Sequence, residues 1–123
     1  QAFLTVMDEL MLPVLESYHP EMILVSYGFD THWSDPLGQL LLSAGAYGCL
    51  VGRLADFADK GCQGRIALVL EGGYDLNAAQ ACSSAVVASL LGIRWEDTLG
   101  SSPYLEKEAW KSVLNAARKQ WHL

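Results

Sequence analysis

The sequence predicts an α/β fold built on a parallel sheet. Two short apolar runs carry most of this reading, Met22–Tyr27 (Met-Ile-Leu-Val-Ser-Tyr) and Arg65–Leu70 (Arg-Ile-Ala-Leu-Val-Leu). Runs that stay apolar along their length suit strands covered on both faces. A segment of helical period lies between them, and strands separated by a helix pair in parallel through a right-handed crossover. The third observation is composition: 51% hydrophobic and 18% charged residues in a chain of 123, a balance that excludes a disordered tail and supports a packed core.

Each element has its own local signals. Ala2, Phe3, Val6, Leu10 and Val14 fall on one helical stripe, and Pro13 predicts a kink or an early stop. Pro20 and Gly28 bound the first strand, and a loop with Gly, Pro and Asp follows, Gly28–Leu42. Ser43 is placed to cap a helix running to about Lys60, with Tyr47, Val51, Leu54 and Ala58 on one face and Gly61 at its C-cap. After the second strand, Glu71-Gly72-Gly73-Tyr74 is a tight turn. Asp75 is placed to cap a helix over Leu76–Leu91 that stops at Gly92. Ser102-Pro103 reads as a cap followed by Pro at the first helical position. The final helix would carry Trp110, Val113, Leu114, Ala117 and Trp121 on one stripe, with Glu106 and Glu108 near its start and Arg118 and Lys119 near its end.

Composition narrows the partners. Eight basic against fourteen acidic residues give a formal charge of -6, and no Lys/Arg cluster is present to grip phosphates. Direct binding to nucleic acid or to an anionic membrane is therefore not expected. The charge-free stretches Pro36–Gly52 and Leu76–Ile93 are broken by Gln, Asn, Ser or Gly, so neither reads as a membrane span. No basic segment precedes an apolar one, so no signal peptide is expected. Cys49, Cys62 and Cys82 are an odd count without C-x-x-C spacing. They read as free thiols filling core in a reducing cytoplasm. The chain opens at Gln1 inside a helical pattern, which predicts a piece of something longer.

Open α/β sheets bind ligands outside the C-terminal edge of their strands. The loops leaving that edge are Gly28–Leu42 and Glu71–Asp75, so Asp30 and Tyr74 are predicted neighbours across one crevice. Asp30 at a strand end suits catalysis or metal binding, and equally suits a turn or cap. Asp30-Thr31-His32 has the form of a D-x-H ligand pair, a pattern of low specificity. Gly72-Gly73 permits positive φ and close approach of backbone to a ligand, or forms a plain tight turn. The Tyr74 hydroxyl can donate into the crevice, or the ring can simply pack.

Three segments taken in order resemble a known family. They are Ile23-Leu24-Val25-Ser26-Tyr27-Gly28-Phe29-Asp30-Thr31-His32, then Asp35-Pro36-Leu37-Gly38, then Leu68-Val69-Leu70-Glu71-Gly72-Gly73-Tyr74-Asp75-Leu76. Together they look like the C-terminal part of the zinc-dependent histone deacetylase family, which includes acetylpolyamine amidohydrolases and acetoin-utilisation proteins. The Glu-Gly-Gly-Tyr form resembles the bacterial and class II branch. The resemblance covers roughly Pro20 to Gly92, and the tail beyond Gly92 carries no family signature.

The resemblance implies a partial three-layer parallel sheet of the arginase/deacetylase type, with residues 1–123 forming the C-terminal portion of a single α/β domain. It implies Asp30 as a zinc-binding aspartate and Tyr74 as the tyrosine that stabilises the tetrahedral intermediate. Gly72 and Gly73 would lie beside the acyl-lysine tunnel, and Leu37 would line its pocket. His32 follows the aspartate in bacterial members and is not a family ligand, and Asp35 would organise its loop. The family's Asp-x-His pair and its water-activating His-His pair have no counterpart among His19, His32 and His122. The implied activity is a zinc-dependent amide hydrolysis of acyl-lysine peptides or acylpolyamines, for which this chain alone is insufficient. A second reading is a non-catalytic α/β binding module that retains the fold. Homo-oligomerisation is also expected, because apolar strands with an open edge invite pairing.

Overall fold

The computed structural model describes residues 1–123. The chain begins with one long helical segment in three pieces: α1 (Ala2–Val6), a π-helical turn (Met7–Met11) and α2 (Leu12–Tyr18). Pro13 neither stops nor sharply ends the helix. The Leu12 N–H donates to Met7 O, five residues back, so the ladder widens just before the ring that has no N–H and would crowd the carbonyl four residues earlier. His19 closes α2 in a left-handed conformation at φ 56°.

β1 (Ile23–Tyr27) and β2 (Ile66–Leu70) pair in parallel with Ile23 opposite Ile66 and Tyr27 opposite Leu70. Between them runs α3 (Ala44–Gly61), and after β2 comes α4 (Leu76–Leu91). The caps follow the sequence closely. The Ser43 side chain accepts from Ala46 N, and the Asp75 side chain accepts from Asn77 N and Ala78 N. Gly92 ends α4 in the left-handed region at φ 64°, where only glycine is free of strain. Gly61, expected at the C-cap of α3, is instead its last helical residue, and the reversal falls to Gln63 (φ 56°) and Gly64 (φ 72°).

The expected helical face of α3 is the buried one: Tyr47, Val51, Leu54 and Ala58 all lie in the core. Tyr47 and Val51 meet Phe29, Leu42 and the α4 residues Ala81, Cys82 and Val86, with Tyr27 and Leu68 packed on the same cluster. A smaller cluster of Ile23, Ala58 and Cys62 draws in Leu15, Val25 and Ile66. The inward face of the sheet is thus Ile23, Val25, Tyr27, Ile66 and Leu68. The opposite face is bare: Leu24 is 72% and Val69 57% exposed. Coverage of both strand faces is therefore not achieved within this chain, which holds the sheet and the helices of one side. Cys62 and Cys82 are core residues, and burial pushes the Cys82 thiol up to about 12. Cys49 is exposed and fills no core.

The tail departs most from expectation. α5 spans Trp110–Gln120, and Ser102-Pro103 does not start it. Ser102 Oγ accepts from Tyr104 N in a local turn (3.0 Å). Glu106 lies before the helix and accepts from Ala2 N at 2.8 Å, so its charge serves the start of α1 rather than α5. Of the expected stripe only Leu114 is buried, while Val113 and Trp121 are exposed. The helix lies over the N-terminal helical segment, where Arg118 Nη1 donates to Glu9 Oε2 at 2.8 Å, and has nothing to pack against on its remaining faces. No helix is long and apolar enough to cross a membrane.

Candidate active site

Pairing between the strands continues past their ends. The Glu71 N–H donates to Tyr27 O at 2.9 Å, and the Phe29 N–H donates to Gly72 O at 2.8 Å. These two bonds bring the loop after β1 and the loop after β2 together at one sheet edge, the edge where open α/β sheets carry their ligands.

Asp30 sits in a single 3₁₀ turn, Phe29–Thr31, immediately beyond β1. Four contacts fix that turn. Phe29 is 1% exposed and meets Tyr27 and Tyr47 edge-on, with ring centroids 5.2 and 5.4 Å apart. Tyr47 OH, reaching from α3, donates to Gly28 O at 3.0 Å and also hydrogen-bonds the Thr31 hydroxyl. Burial pushes the Tyr47 phenol above its ordinary value, so it stays a neutral donor.

The Asp30 carboxylate lies against Gly72. A Cβ on Gly72 would stand 2.9 Å from Asp30 Cγ, and one on Gly28 would stand 2.8 Å from Asp30 Oδ1. A side chain at either position would displace the carboxylate. Gly73 has φ 133°, and a Cβ there would meet Phe29 Cβ at 2.8 Å. The pair of glycines thus does two different things: Gly72 leaves room for Asp30, and Gly73 supplies a backbone conformation that side chains resist. Tyr74 follows directly and is 58% exposed, and Leu37 is 68% exposed on the neighbouring loop. The edge rule therefore held for the backbone: Asp30 stands beside the turn that carries Tyr74.

Asp35 organises the loop as expected. Its Oδ1 accepts from Leu37 N (2.9 Å) and Gly38 N (3.0 Å). Its Oδ2 accepts from Tyr74 N (2.8 Å) and Asp75 N (3.2 Å). Asp75 in turn accepts from Ser34 Oγ at 2.7 Å. That bond, ahead of its helix-capping bonds, holds the Asp75 carboxyl below the usual carboxylate value.

His32 is fully buried. Ser34 N–H donates to its Nδ1 at 3.2 Å, and Ser34 Oγ lies 2.9 Å from the same atom. Its Nε2 is buried without a partner. Burial lowers the imidazole below its ordinary value against the opposing pull of Asp97, Asp75 and Asp35, so the ring is neutral. The D-x-H pattern thus becomes a packed histidine whose Nδ1 is taken up by Ser34. No group of three or more His, Cys, Asp or Glu side chains in the chain is placed to hold a metal ion.

Two arrangements here had no sequence reading: the tie from Asp35 to Tyr74 and the burial of His32. The Asp-Pro-Leu-Gly turn signalled the local half of the Asp35 bonds. The long-range half left no local signal.

The histone deacetylase domain matches residues 1–90. The chain is 31% identical to a probable deacetylase of Archaeoglobus fulgidus, over 99% of this chain and 34% of that protein. It is 33% identical to a histone deacetylase-like amidohydrolase of Pseudomonas aeruginosa, over 76% of this chain and 24% of that protein. The structure of the histone deacetylase Clr3 superposes on 96% of this chain and 19% of its own with a TM-score of 0.80 and 29% identity. The chain thus spans about a third or less of the length of the proteins it matches.

Proposed function

This chain belongs to the histone deacetylase family, and on that premise we propose that it is the C-terminal portion of a zinc-dependent amidohydrolase acting on acyl-lysine or acylpolyamine-type substrates. The observation that carries this reading is the juxtaposition at the sheet edge: a strand-end carboxylate, Asp30, seated in the space left by Gly28 and Gly72, with Tyr74 two residues further on.

Asp30 suits a hard or borderline cation. Its carboxylate is half-buried and is free of the backbone ties that occupy Asp35 and Asp75. It is one ligand, and the others would come from outside this chain. Zinc bound there supplies Lewis-acid polarisation of the amide carbonyl and a lowered pKa for water. The chain's own residues supply the rest of this half of the site. Tyr74, on a turn held by Gly73 and Asp35, donates a hydrogen bond from its hydroxyl to the oxygen that gains charge as the amide carbon becomes tetrahedral. Leu37, Gly72 and Gly73 form one wall of the channel for a linear acyl-amine chain, apolar at Leu37 and narrow at the glycines. The net charge of -6 suits a cationic amine carrier. The three free thiols suit a reducing compartment such as the cytoplasm.

Tyr74→Phe in the intact protein tests this reading. The variant keeps the ring and loses only the donor, so kcat on an acetyl-lysine peptide should fall by about 100- to 1000-fold. Its zinc content should match that of wild type, whereas Asp30→Ala should lose zinc. Equal turnover by wild type and Tyr74→Phe would reject the assignment. An intact protein that loads zinc and binds acyl-lysine without turning it over would favour the binding-module reading.

A further inference from the structure

Asp35 is only 7% exposed. A carboxylate taken out of water is costly unless its oxygens are satisfied. Here both oxygens are: each accepts two backbone N–H bonds, Leu37 and Gly38 on Oδ1, Tyr74 and Asp75 on Oδ2. Burial alone would raise its carboxyl, but the bonds, that from Tyr74 foremost, hold it below the ordinary value.

The two oxygens do different things. The Oδ1 pair is a local turn that Asp-Pro-x-Gly forms by itself. The Oδ2 pair reaches 39 and 40 positions along the chain, to the backbone of the turn after β2. Ser34 makes the reciprocal tie, donating its hydroxyl to Asp75 Oδ2. Three crossed side-chain bonds therefore join the loops after β1 and β2. The Tyr74 side chain is more than half exposed, so the place from which it projects is set by its backbone, and Asp35 holds the N–H of that residue.

We propose that Asp35 is a positioning residue: its single carboxylate locks the Leu37–Gly38 strip to the Tyr74 turn, so that channel wall and oxyanion donor keep one spacing. This rests on the reading of Tyr74 as the donor. A misplaced donor loses catalysis steeply with distance, on the order of 100-fold for about 1 Å.

The test is a double-mutant cycle in the intact protein on an acetyl-lysine peptide, with wild type, Asp35→Asn, Tyr74→Phe and the double variant. Asparagine keeps the shape but offers one acceptor oxygen and turns an NH₂ toward the remaining donors. Asp35→Asn alone should lower kcat by about 10- to 100-fold. On the Tyr74→Phe background it should cost less than about threefold, because the group it positions is already gone. A general loss of stability would multiply the two losses instead, and full additivity overturns the inference while leaving the role of Tyr74 intact. A Tyr74→Phe enzyme as fast as wild type overturns both. Residue-resolved hydrogen exchange on the wild-type protein gives a result that needs no variant to fold. The Leu37, Gly38, Tyr74 and Asp75 amides should exchange through one shared opening, with protection agreeing within a few-fold. Free exchange at Tyr74 and Asp75 with Leu37 and Gly38 still protected overturns the inference.

Discussion

At the scale of single residues, the loop geometry concentrates its demands on a few positions. Gly73 combines φ 133° with a Cβ position 2.8 Å from Phe29 Cβ. Gly73→Ala should therefore destabilise the fold by about 2–4 kcal/mol, from backbone strain plus steric displacement. Gly100→Ala is the natural comparison: φ is 72° but nothing lies within 4 Å of the added Cβ, so only the strain of about 1–2 kcal/mol applies. Thermal denaturation of the two variants side by side measures the difference. Asp35 and Asp75 set the response to acid. Both are held below their ordinary value of 3.8, so the folded state binds protons less readily than the unfolded chain. Their contribution to stability is present above about pH 4 and is lost as pH falls through the lower folded values. The melting temperature should decline between about pH 5 and pH 2, and Asp35→Asn should start lower and show a shallower acid limb. An unchanged slope in that variant would assign the acid response to other carboxylates.

At the scale of elements, the start of α3 carries two caps from different parts of the chain. Ser43 serves Ala46 N in the ordinary local way, and Asp97 Oδ2 accepts from Gly45 N at 2.8 Å across 52 positions. The other Asp97 oxygen accepts from Leu99 N and Gly100 N, and Gly100 O accepts from the Trp33 indole at 3.2 Å. The tail after α4 is thereby tied both to α3 and to the loop that carries Asp30. Asp97→Ala should cost about 1–2 kcal/mol, in the upper range for a helix cap. It should also expose the 93–109 segment to limited proteolysis sooner than Ser43→Ala does. Equal protease sensitivity in the two variants would show that the tail is held elsewhere.

At the scale of the whole molecule, 18 of 123 residues are buried, few for a chain that is half hydrophobic. The apolar residues left outside include Leu24, Val69 and Leu70, which lie on β1 and β2. A bare sheet face with open strand edges invites association. The 123-residue chain should self-associate, and sedimentation equilibrium should show a mass rising with concentration. Leu24→Lys with Val69→Lys should shift it toward monomer. A single monomer mass for the unaltered chain, with cooperative unfolding, would show that its exposed sheet face is tolerated.

Local rules reach as far as local causes do. The two strands, α3 and α4 with the Ser43, Asp75 and Gly92 signals, the buried face of α3, and the meeting of two loops at one edge follow from the sequence alone. Each rests on periodicity, on a cap within three residues, or on the handedness of a crossover. The tertiary structure alone decided that Asp35 reaches Tyr74, that His32 is packed away beside Ser34, that Glu106 and Asp97 serve helix starts far from them in the chain, and that one sheet face stays open. A hydrogen-bonding side chain has several acceptable partners, and which one it meets depends on how segments tens of residues apart are juxtaposed. No pattern within a short window of sequence encodes that juxtaposition, because it is set by packing of the whole chain.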